Sequence, residues 1–531
     1  MSEPSGALRR QADLVAALCH PACYPHPADR IEVVETHISW VILTGSYAYK
    51  IKKDLNLGFL DFTTLALREH FCREELRLNR RLAPAFYLDV VPITGTHNAP
   101  VIGGGGDIVE WAVKMREFKR GAELSRLLQS GAVTSATIDE IADRVAAFHA
   151  TCERDTAVDG YGSARAVRGP VRNNLAALEK RIVEPLLREQ LTRLRDWSET
   201  QHQRLTPTFD LRRAAGFVRE CHGDLHLGNI ALHEGRVVIF DCIEFNPRLR
   251  WIDVMSEVAF AVMDFHHRDR ADFARRLLNR YLERTGDYGG LAVLRYYLVY
   301  RALVRATVAA IRAAQSGAAP GTEAREFRAY LDIAERFTQC DPPRLLITHG
   351  VSGSGKTTVT SALLEAADLV RIRSDVERKR LAGLSSESRS GSTVDGGLYT
   401  PGATRRTYEQ LRAEAEAVLG AGYSVVLDAT FLDRTERDAC RALASAQGAA
   451  FRILAFRADP ATLRNRIITR EREKRDASEA DLPVLEQQFG RDTELREDEL
   501  QDAVVIDTSQ SLDLPALAAT LGLVSMERIA R

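Results

Sequence analysis

The octapeptide Gly350-Val-Ser-Gly-Ser-Gly-Lys-Thr357 constrains this chain more than any other stretch of it. It fits the P-loop pattern in full, with an apolar run, Leu345 to His349, before it and a helix-forming stretch after it. Glycines at Gly350, Gly353 and Gly355 let backbone N–H groups turn toward an anion, and the helix N-terminus behind them adds positive potential. Ser354 and Thr358 flank the two side chains that carry the chemistry. Lys356 can neutralise the β- and γ-phosphates of ATP, and the Thr357 hydroxyl can ligate Mg²⁺. Upstream, Asp-Pro-Pro at 341–343 ends a helical region, so a domain boundary is expected near 340. Beyond it strands alternate with helices, the pattern of a parallel α/β sheet.

Several other residues of this C-terminal region have the chemistry of phosphoryl transfer. A strand expected over Leu369 to Arg373 leads to Ser374-Asp375, where a carboxylate can take a proton from an acceptor hydroxyl. Arg378 follows one turn later and can hold the acceptor. The apolar run Val425 to Leu427 meets Asp428-Ala-Thr430, a strand end suited to a metal-bound water or to the acceptor. Arg466 and Arg470 lie four residues apart in a helical stretch, 461–474, so they share a face and can close over a phosphoryl group. The plainer reading of these arginines is a solvated face beside Glu471 and Glu473. From the P-loop through Asp375, Asp428 and Arg466, residues 344–510 resemble the polynucleotide-kinase-like and gluconate-kinase-like P-loop families. The resemblance implies Asp375 as catalytic base. It does not choose the acceptor.

A second constellation lies upstream. His222-Gly-Asp224-Leu-His-Leu-Gly-Asn229 places Asp and Asn at the spacing of the protein-kinase catalytic loop, and Val237 to Phe240 then runs into Asp241. In that geometry Asp224 orients and deprotonates an acceptor hydroxyl, while Asn229 and Asp241 hold Mg²⁺ against the ATP phosphates. A hairpin turning at Glu234-Gly235 would bring the two metal ligands to one end. Nearer the start, Thr44-Gly45-Ser46 reads as a nucleotide-covering turn before a strand that carries Lys50. Lys50 is the expected phosphate-contacting lysine, with Lys52 and Lys53 as close competitors, and its helix partner is Glu75 or else Glu74. The run Val113 to Phe118 would follow as a hinge between lobes.

This region resembles the aminoglycoside phosphotransferase and choline-kinase-like family rather than protein kinases. His-Gly-Asp stands for His-Arg-Asp, and the metal aspartate sits in Phe-Asp241-Cys, with no Ala-Pro-Glu segment after it. The stretch from Phe240 to Asn246, with Arg250 to Asp253, resembles bacterial proteins in which such a domain is fused to an ATP-binding domain. The resemblance implies a structural role for Asp253, as a brace of the catalytic loop. His149 and His226 read as satisfied buried histidines.

The remaining sequence bounds these readings. At 531 residues the chain exceeds one ordinary core, and its net charge of -1 argues against nucleic acid as partner. The most apolar stretch, Leu291 to Ala314, carries four arginines and reads as a packed helix rather than a membrane span. The eight cysteines are mostly scattered singly, as in a reducing cytoplasm, and the Cys19, His20, Cys23, His26 cluster matches no standard zinc spacing. Thr137 and Glu140 read as a capping box opening a helix, and 170–210 and 255–335 read as helical.

The fold expected is therefore multidomain, α+β followed by α/β. A bilobal kinase-like domain spans 1–340, its small lobe about 1–118 and its large lobe 119–340, and a P-loop kinase domain spans 341–531. The function expected is an ATP- and Mg²⁺-using phosphotransferase with two nucleotide sites acting on small-molecule hydroxyl acceptors. Two other readings stand beside it: a nucleotide-sensing regulatory protein, and a kinase of nucleic-acid ends. Oligomeric state is open.

Overall fold

The computed structural model describes residues 6–523 except 59, 120, 157–159, 317–321, 389, 391–395, 474–477 and 491–493. The Gly/Ala-rich stretch Gln315 to Thr322, which the sequence offers as a weaker boundary candidate than 340, lies partly outside the described residues. The chain divides into two compact units. One comprises Met1–Glu140, Ala147–Ser163 and Leu211–Ala261, and the other Ile141–Ala146, Ala164–Asp210 and Val262–Arg531. Among the described residues no helix is long and apolar enough to cross a membrane.

The first unit is built on an antiparallel sheet. Its strands are β1 (Glu32–Glu35), β2 (Ser39–Leu43), β3 (Tyr47–Lys52), β4 (Tyr87–Thr96), β5 (Ala99–Ile102) and β6 (Ile108–Arg116). They lie in the order β1-β2-β3-β6-β4-β5. Side chains alternate across a strand, so Tyr49 and Ile51 of β3 share one face and Lys50 and Lys52 share the other. Tyr49 and Ile51 join a core with Leu14, Leu18, Trp40 and Ile42. The helix Leu65–Asn79 begins at Thr64, whose hydroxyl accepts the Leu67 N–H at 3.2 Å, and it buries Cys72, Glu75, Leu78 and Asn79. Those positions fall on one face at helical spacing. A carboxylate is thus driven into the interior together with the apolar face that carries it.

The rest of this unit holds two short ladders. Strands β7 (Val218–Glu220) and β10 (Trp251–Asp253) pair antiparallel, as do β8 (Ile230–His233) and β9 (Arg236–Ile239). Glu234 and Gly235 both take positive φ, 51° and 75°, the geometry of a two-residue hairpin turn. The helix over Ser135–Thr151 is capped differently from the sequence expectation. Thr134 is the cap and Thr137 the third helical residue of the capping box. Glu140 instead accepts the Val237 N–H at 3.1 Å. A short hydroxyl that reaches its neighbour's N–H competes well with a glutamate already spent on another strand.

The second unit carries five parallel strands: β11 (Arg344–His349), β12 (Leu369–Arg373), β13 (Ser424–Asp428), β14 (Ala450–Arg457) and β15 (Ala503–Asp507). Their order is β12-β13-β11-β14-β15. Continuous buried runs such as Leu345–Ile347 and Val425–Leu427 fit a sheet covered on both faces. The helix Ala271–Thr285 packs along edge strand β12. Asn279 donates to the Leu369 carbonyl at 3.1 Å and accepts the Arg371 N–H at 2.8 Å, so its side chain answers the free edge of that strand. Four residues on, Glu283 pairs with Arg371 at 2.8 Å, both buried. Removing one partner of a buried pair strands the other charge, so Glu283→Ala should cost the second unit about 3–5 kcal/mol. Urea unfolding followed in that unit checks this, and a loss under about 1 kcal/mol, the level of an exposed pair, would contradict it.

Candidate active sites

In the first unit the β3 lysines meet the buried helix carboxylate. Lys50 Nζ lies 2.9 Å from Glu75 Oε1 and 2.5 Å from Asp241 Oδ1. Lys52 Nζ sits 2.7 Å from the other Glu75 oxygen and also pairs with Glu244. Burial alone would lower the Lys50 pKa, but Asp241 and Glu75 carry it well above its ordinary value. Burial likewise opposes ionisation of Glu75, yet Lys50 and Lys52 hold its carboxyl down to about 2. Glu74, the alternative partner, faces elsewhere and binds Arg77 and Arg250 at 2.7 and 2.8 Å. Lys53, the other competitor, pairs with Glu35 at 2.6 Å.

The hairpin β8–β9 sets the opposite wall. Asn229 immediately precedes β8 and Asp241 follows β9 by two residues, so both stand at its open end. Asn229 Nδ2 donates to the Asp224 carbonyl at 2.9 Å and to its carboxylate Oδ2 at 3.1 Å. His226 Nε2 lies 3.4 Å from the same carboxylate oxygen. Asp241 sits at φ 67°, and its N–H donates to the Tyr87 hydroxyl at 3.2 Å. Its carboxylate remains 44% exposed, open to an incoming ligand. Lys50, Glu75 and Asp241 therefore form one linked group and Asp224 with Asn229 another, and the hairpin joins them through Asn229 at its start and Asp241 beyond its end.

Several supports of this site carried no local signal. Glu257 accepts the N–H groups of His222 at 2.9 Å and Gly223 at 2.7 Å, fixing the backbone just before Asp224. His149 lies 3.2 Å from Glu257, a satisfied buried imidazole as the sequence suggests. Burial pushes the Glu257 carboxyl up, but the His149 hydrogen bond and charge bring it to about 2. With Cys221 these two form the one His/Cys/Asp/Glu grouping of metal-like spacing among the described residues, and its carboxylate is already used by the loop. Asn79 accepts the Cys242 N–H at 2.9 Å, steadying the residue after Asp241. Asp253 pairs with Arg212 at 2.7 Å and accepts the Met255 N–H, beside β7 rather than on the loop itself.

In the second unit the P-loop joins β11 to the helix Lys356–Ala366 at the C-terminal ends of the strands, where open parallel sheets bind ligands. Gly350, Gly353 and Gly355 all have positive φ, and a Cβ on Gly350 would approach the Phe456 carbonyl at 2.8 Å. Lys356 Nζ donates to the carbonyls of Gly350 and Val351 at 2.9 and 2.8 Å. Carbonyls do not neutralise an ammonium. Burial therefore lowers Lys356 from its ordinary 10.5 to about 8, against the pull of Asp428 and Asp375. Asp428 ends β13 opposite Arg373, and its Oδ2 accepts the Thr360 hydroxyl at 3.3 Å. Asp375 opens the helix after neighbouring β12, and the charges of both carboxylates reach the lysine without an ion pair among the described residues.

The arginines divide. Arg466 donates to the Gly353 carbonyl at 3.3 Å and to both oxygens of Thr508 at 2.8 Å, so it braces the P-loop. Arg470 donates to the Ala480 carbonyl and adds to the field that lowers Lys356. Arg378, one turn after Asp375, donates to the Leu398 carbonyl at 2.9 Å with Tyr399 under its plane. Thr357 and Thr358 occupy the first helical turn, Thr358 exposed. Arg371 carried no motif, yet it reaches from Glu283 to the Thr357 carbonyl at 3.2 Å and the Ser361 hydroxyl at 2.6 Å.

The two groupings mark a chain in which a kinase-like phosphotransferase region precedes a P-loop kinase domain. A family profile described as "Phosphotransferase enzyme family" matches residues 65–296, and one described as "AAA domain" matches residues 345–494. An uncharacterised protein of Mycobacterium tuberculosis is 30% identical over 429 residues, 80% of this chain and 83% of that protein. The chain belongs to the family that includes this mycobacterial protein, an aminoglycoside-phosphotransferase-like domain fused to a P-loop ATP-binding domain. Among solved structures, the amicoumacin kinase hAmiN in complex with AMP-PNP, Ca²⁺ and Ami is 14% identical. Its TM-score is 0.40 over 61% of this chain and 93% of that one. A gluconokinase from Sinorhizobium meliloti is 22% identical, with a TM-score of 0.23 over 36% of this chain and 95% of that one.

The depressed Lys356 gives a pH test. Phosphates bind the charged amine, so nucleotide affinity at the P-loop should be level below about pH 8 and fall above it, by up to tenfold per pH unit. Titration of a fluorescent ATP analogue between pH 7 and 9.5, with Asp241→Ala silencing the first pocket, checks it. A flat profile would contradict the assignment.

Proposed function

We propose that the chain moves the γ-phosphoryl group of ATP to a hydroxyl of a small molecule at each of two sites, one in 1–340 and one in 341–531. One observation carries this reading most: Lys50 is held between Glu75 and Asp241 at 2.9 and 2.5 Å, a charge arranged before any ligand arrives. The donors beside it, the Asp241 carboxylate and the Asn229 amide, offer the hard oxygen ligands that suit Mg²⁺. In the second unit the Thr357 hydroxyl and Asp428 offer the same kind of set. When bound, the metal would offset charge on the phosphate oxygens.

The chain's own residues would then act as follows. Lys50 in one pocket and Lys356 in the other lie against phosphate oxygens and limit charge build-up as the bond to the leaving oxygen breaks. Asp224, held at 3.1 Å by Asn229, accepts the proton of the attacking hydroxyl as its oxygen bonds to phosphorus. Asp375 takes the same part beside the P-loop, with Arg378 next to the acceptor. Each transfer leaves ADP and a phosphate ester.

The test is an acceptor screen of sugars, amino sugars, aminoglycosides, nucleosides and oligonucleotide ends, run on two variants of the full chain. Asp224→Asn should lower transfer to one acceptor class by about 10²–10⁴-fold while ATP still binds, because only the base is lost. Lys356→Ala should remove transfer to the other class and leave the first intact. Turnover preserved in both variants, or loss of both activities in each, would refute two independent sites.

A further inference from the structure

We propose that the second unit carries a further binding site, for a small phosphate monoester, at the end of the parallel sheet remote from the P-loop. A cavity of about 140 Å³ lies between the helical segment 262–339 and the strands' first residues, Arg344 of β11, Leu369 of β12 and Ser424 of β13. At roughly 3.3 Å per residue, strands of this length set it about 15–20 Å from the P-loop. Its wall is largely apolar, with Leu294, Leu298 and Phe337 among the lining side chains. An engineered cavity of about this size accepts benzene. The space therefore suits an apolar group of about six heavy atoms, such as a phenyl ring, with the phosphate it carries left at the half-buried guanidinium groups of Arg295, Arg336 and Arg344.

Three guanidinium groups line this cavity with no carboxylate in ion-pair contact among the described residues. Arg295 donates to the carbonyls of Gln339 and Gly422 at 2.7 and 3.0 Å and lies over the Tyr423 ring. Arg344 donates to the Gly522 carbonyl at 3.0 Å. Arg336 makes no side-chain hydrogen bond or ion pair among the described residues. Carbonyls fix these side chains in place but leave their charge intact. The fourth arginine, Arg275, is neutralised by Asp368 at 2.6 Å. Asp341, exposed at the rim, is the single unpaired acid. Burial holds His266 down at about 4, so it is neutral at pH 7.

Three positive groups against one unpaired acid leave a net charge near two, which matches the roughly −1.5 to −2 of a phosphate monoester at pH 7. Two buried polar atoms of the wall, Arg295 Nε and the Tyr423 hydroxyl, have no hydrogen-bond partner among the described residues. A buried donor without an acceptor costs about 1–3 kcal/mol, and phosphate oxygens are the acceptors that would relieve both. No residue of this cavity belongs to either proposed transfer site.

The experiment titrates phenyl phosphate by calorimetry into the full chain already saturated with AMP-PNP and Mg²⁺, so that both nucleotide pockets are occupied. Binding of one phenyl phosphate is expected, at least tenfold weaker in Arg336→Gln, with AMP-PNP affinity and melting temperature unchanged. Arg336 has no partner to lose, so this variant keeps the fold. Absence of binding to the nucleotide-saturated chain would overturn the proposal, as would equal affinity in Arg336→Gln. Inorganic phosphate binding as tightly as phenyl phosphate would overturn the assignment to an ester.

Discussion

A lysine ammonium can be kept inside a protein only if something inside answers its charge, and the two units answer it differently. In the first, Lys50 and Lys52 are enclosed by Glu75, Asp241 and Glu244, and each lysine is held more firmly in its charged form than in water. The second unit surrounds Lys356 with carbonyl oxygens, which orient it without neutralising it, and its proton is held less tightly than in water. One pocket is electrostatically complete except at the exposed face of Asp241. The other is short of negative charge, and that is what a phosphate brings. Much of the surrounding packing, from Asn79 behind Cys242 to Arg466 on the P-loop, keeps these two arrangements from relaxing.

Reading the sequence reached the parts of this structure that depend on local spacing. The P-loop needs a strand, three glycines and a helix in immediate succession, and the Asp224 to Asn229 loop needs one turn, so neighbouring residues state both. Lys50 was harder, because Lys50 and Lys52 occupy the same face of β3 and both touch Glu75. Only the position of Asp241, 191 residues away in sequence, separates them. Glu75 rather than Glu74 follows from the burial of one helix face, which the weak amphipathicity of Leu65–Asn79 hardly announces. Glu257, Asn79 and Arg371 were silent for the same reason. Each acts on a backbone group of a distant segment, and a backbone group has no sequence signature. Thr134 displaced Thr137 as helix cap through competition between two threonines three residues apart that spacing alone does not resolve.

The two units also differ in how their polar supports are distributed. Around the first pocket, Glu220 receives Arg77, Arg81 and Arg250 at 2.7–3.1 Å, tying the Glu75 helix to β7 and to the segment after Asp241. A network of this kind holds several segments in one mutual arrangement, because no arginine can leave without baring the carboxylate. In the second unit the equivalent work falls on single reaching side chains, Arg371 to the first turn of the P-loop helix and Arg437 to Glu499 at 2.6 Å.

Asn279 bears on more than the stability of one strand. Its amide mimics a missing neighbour, answering one carbonyl and one N–H on the outer side of β12 as another strand would. A fragment of the protein that retained the parallel sheet but lacked the helix Ala271–Thr285 would present β12 bare, apolar and ready to pair. Such an edge recruits other chains. That helix therefore works as a guard of this one edge against pairing with another chain.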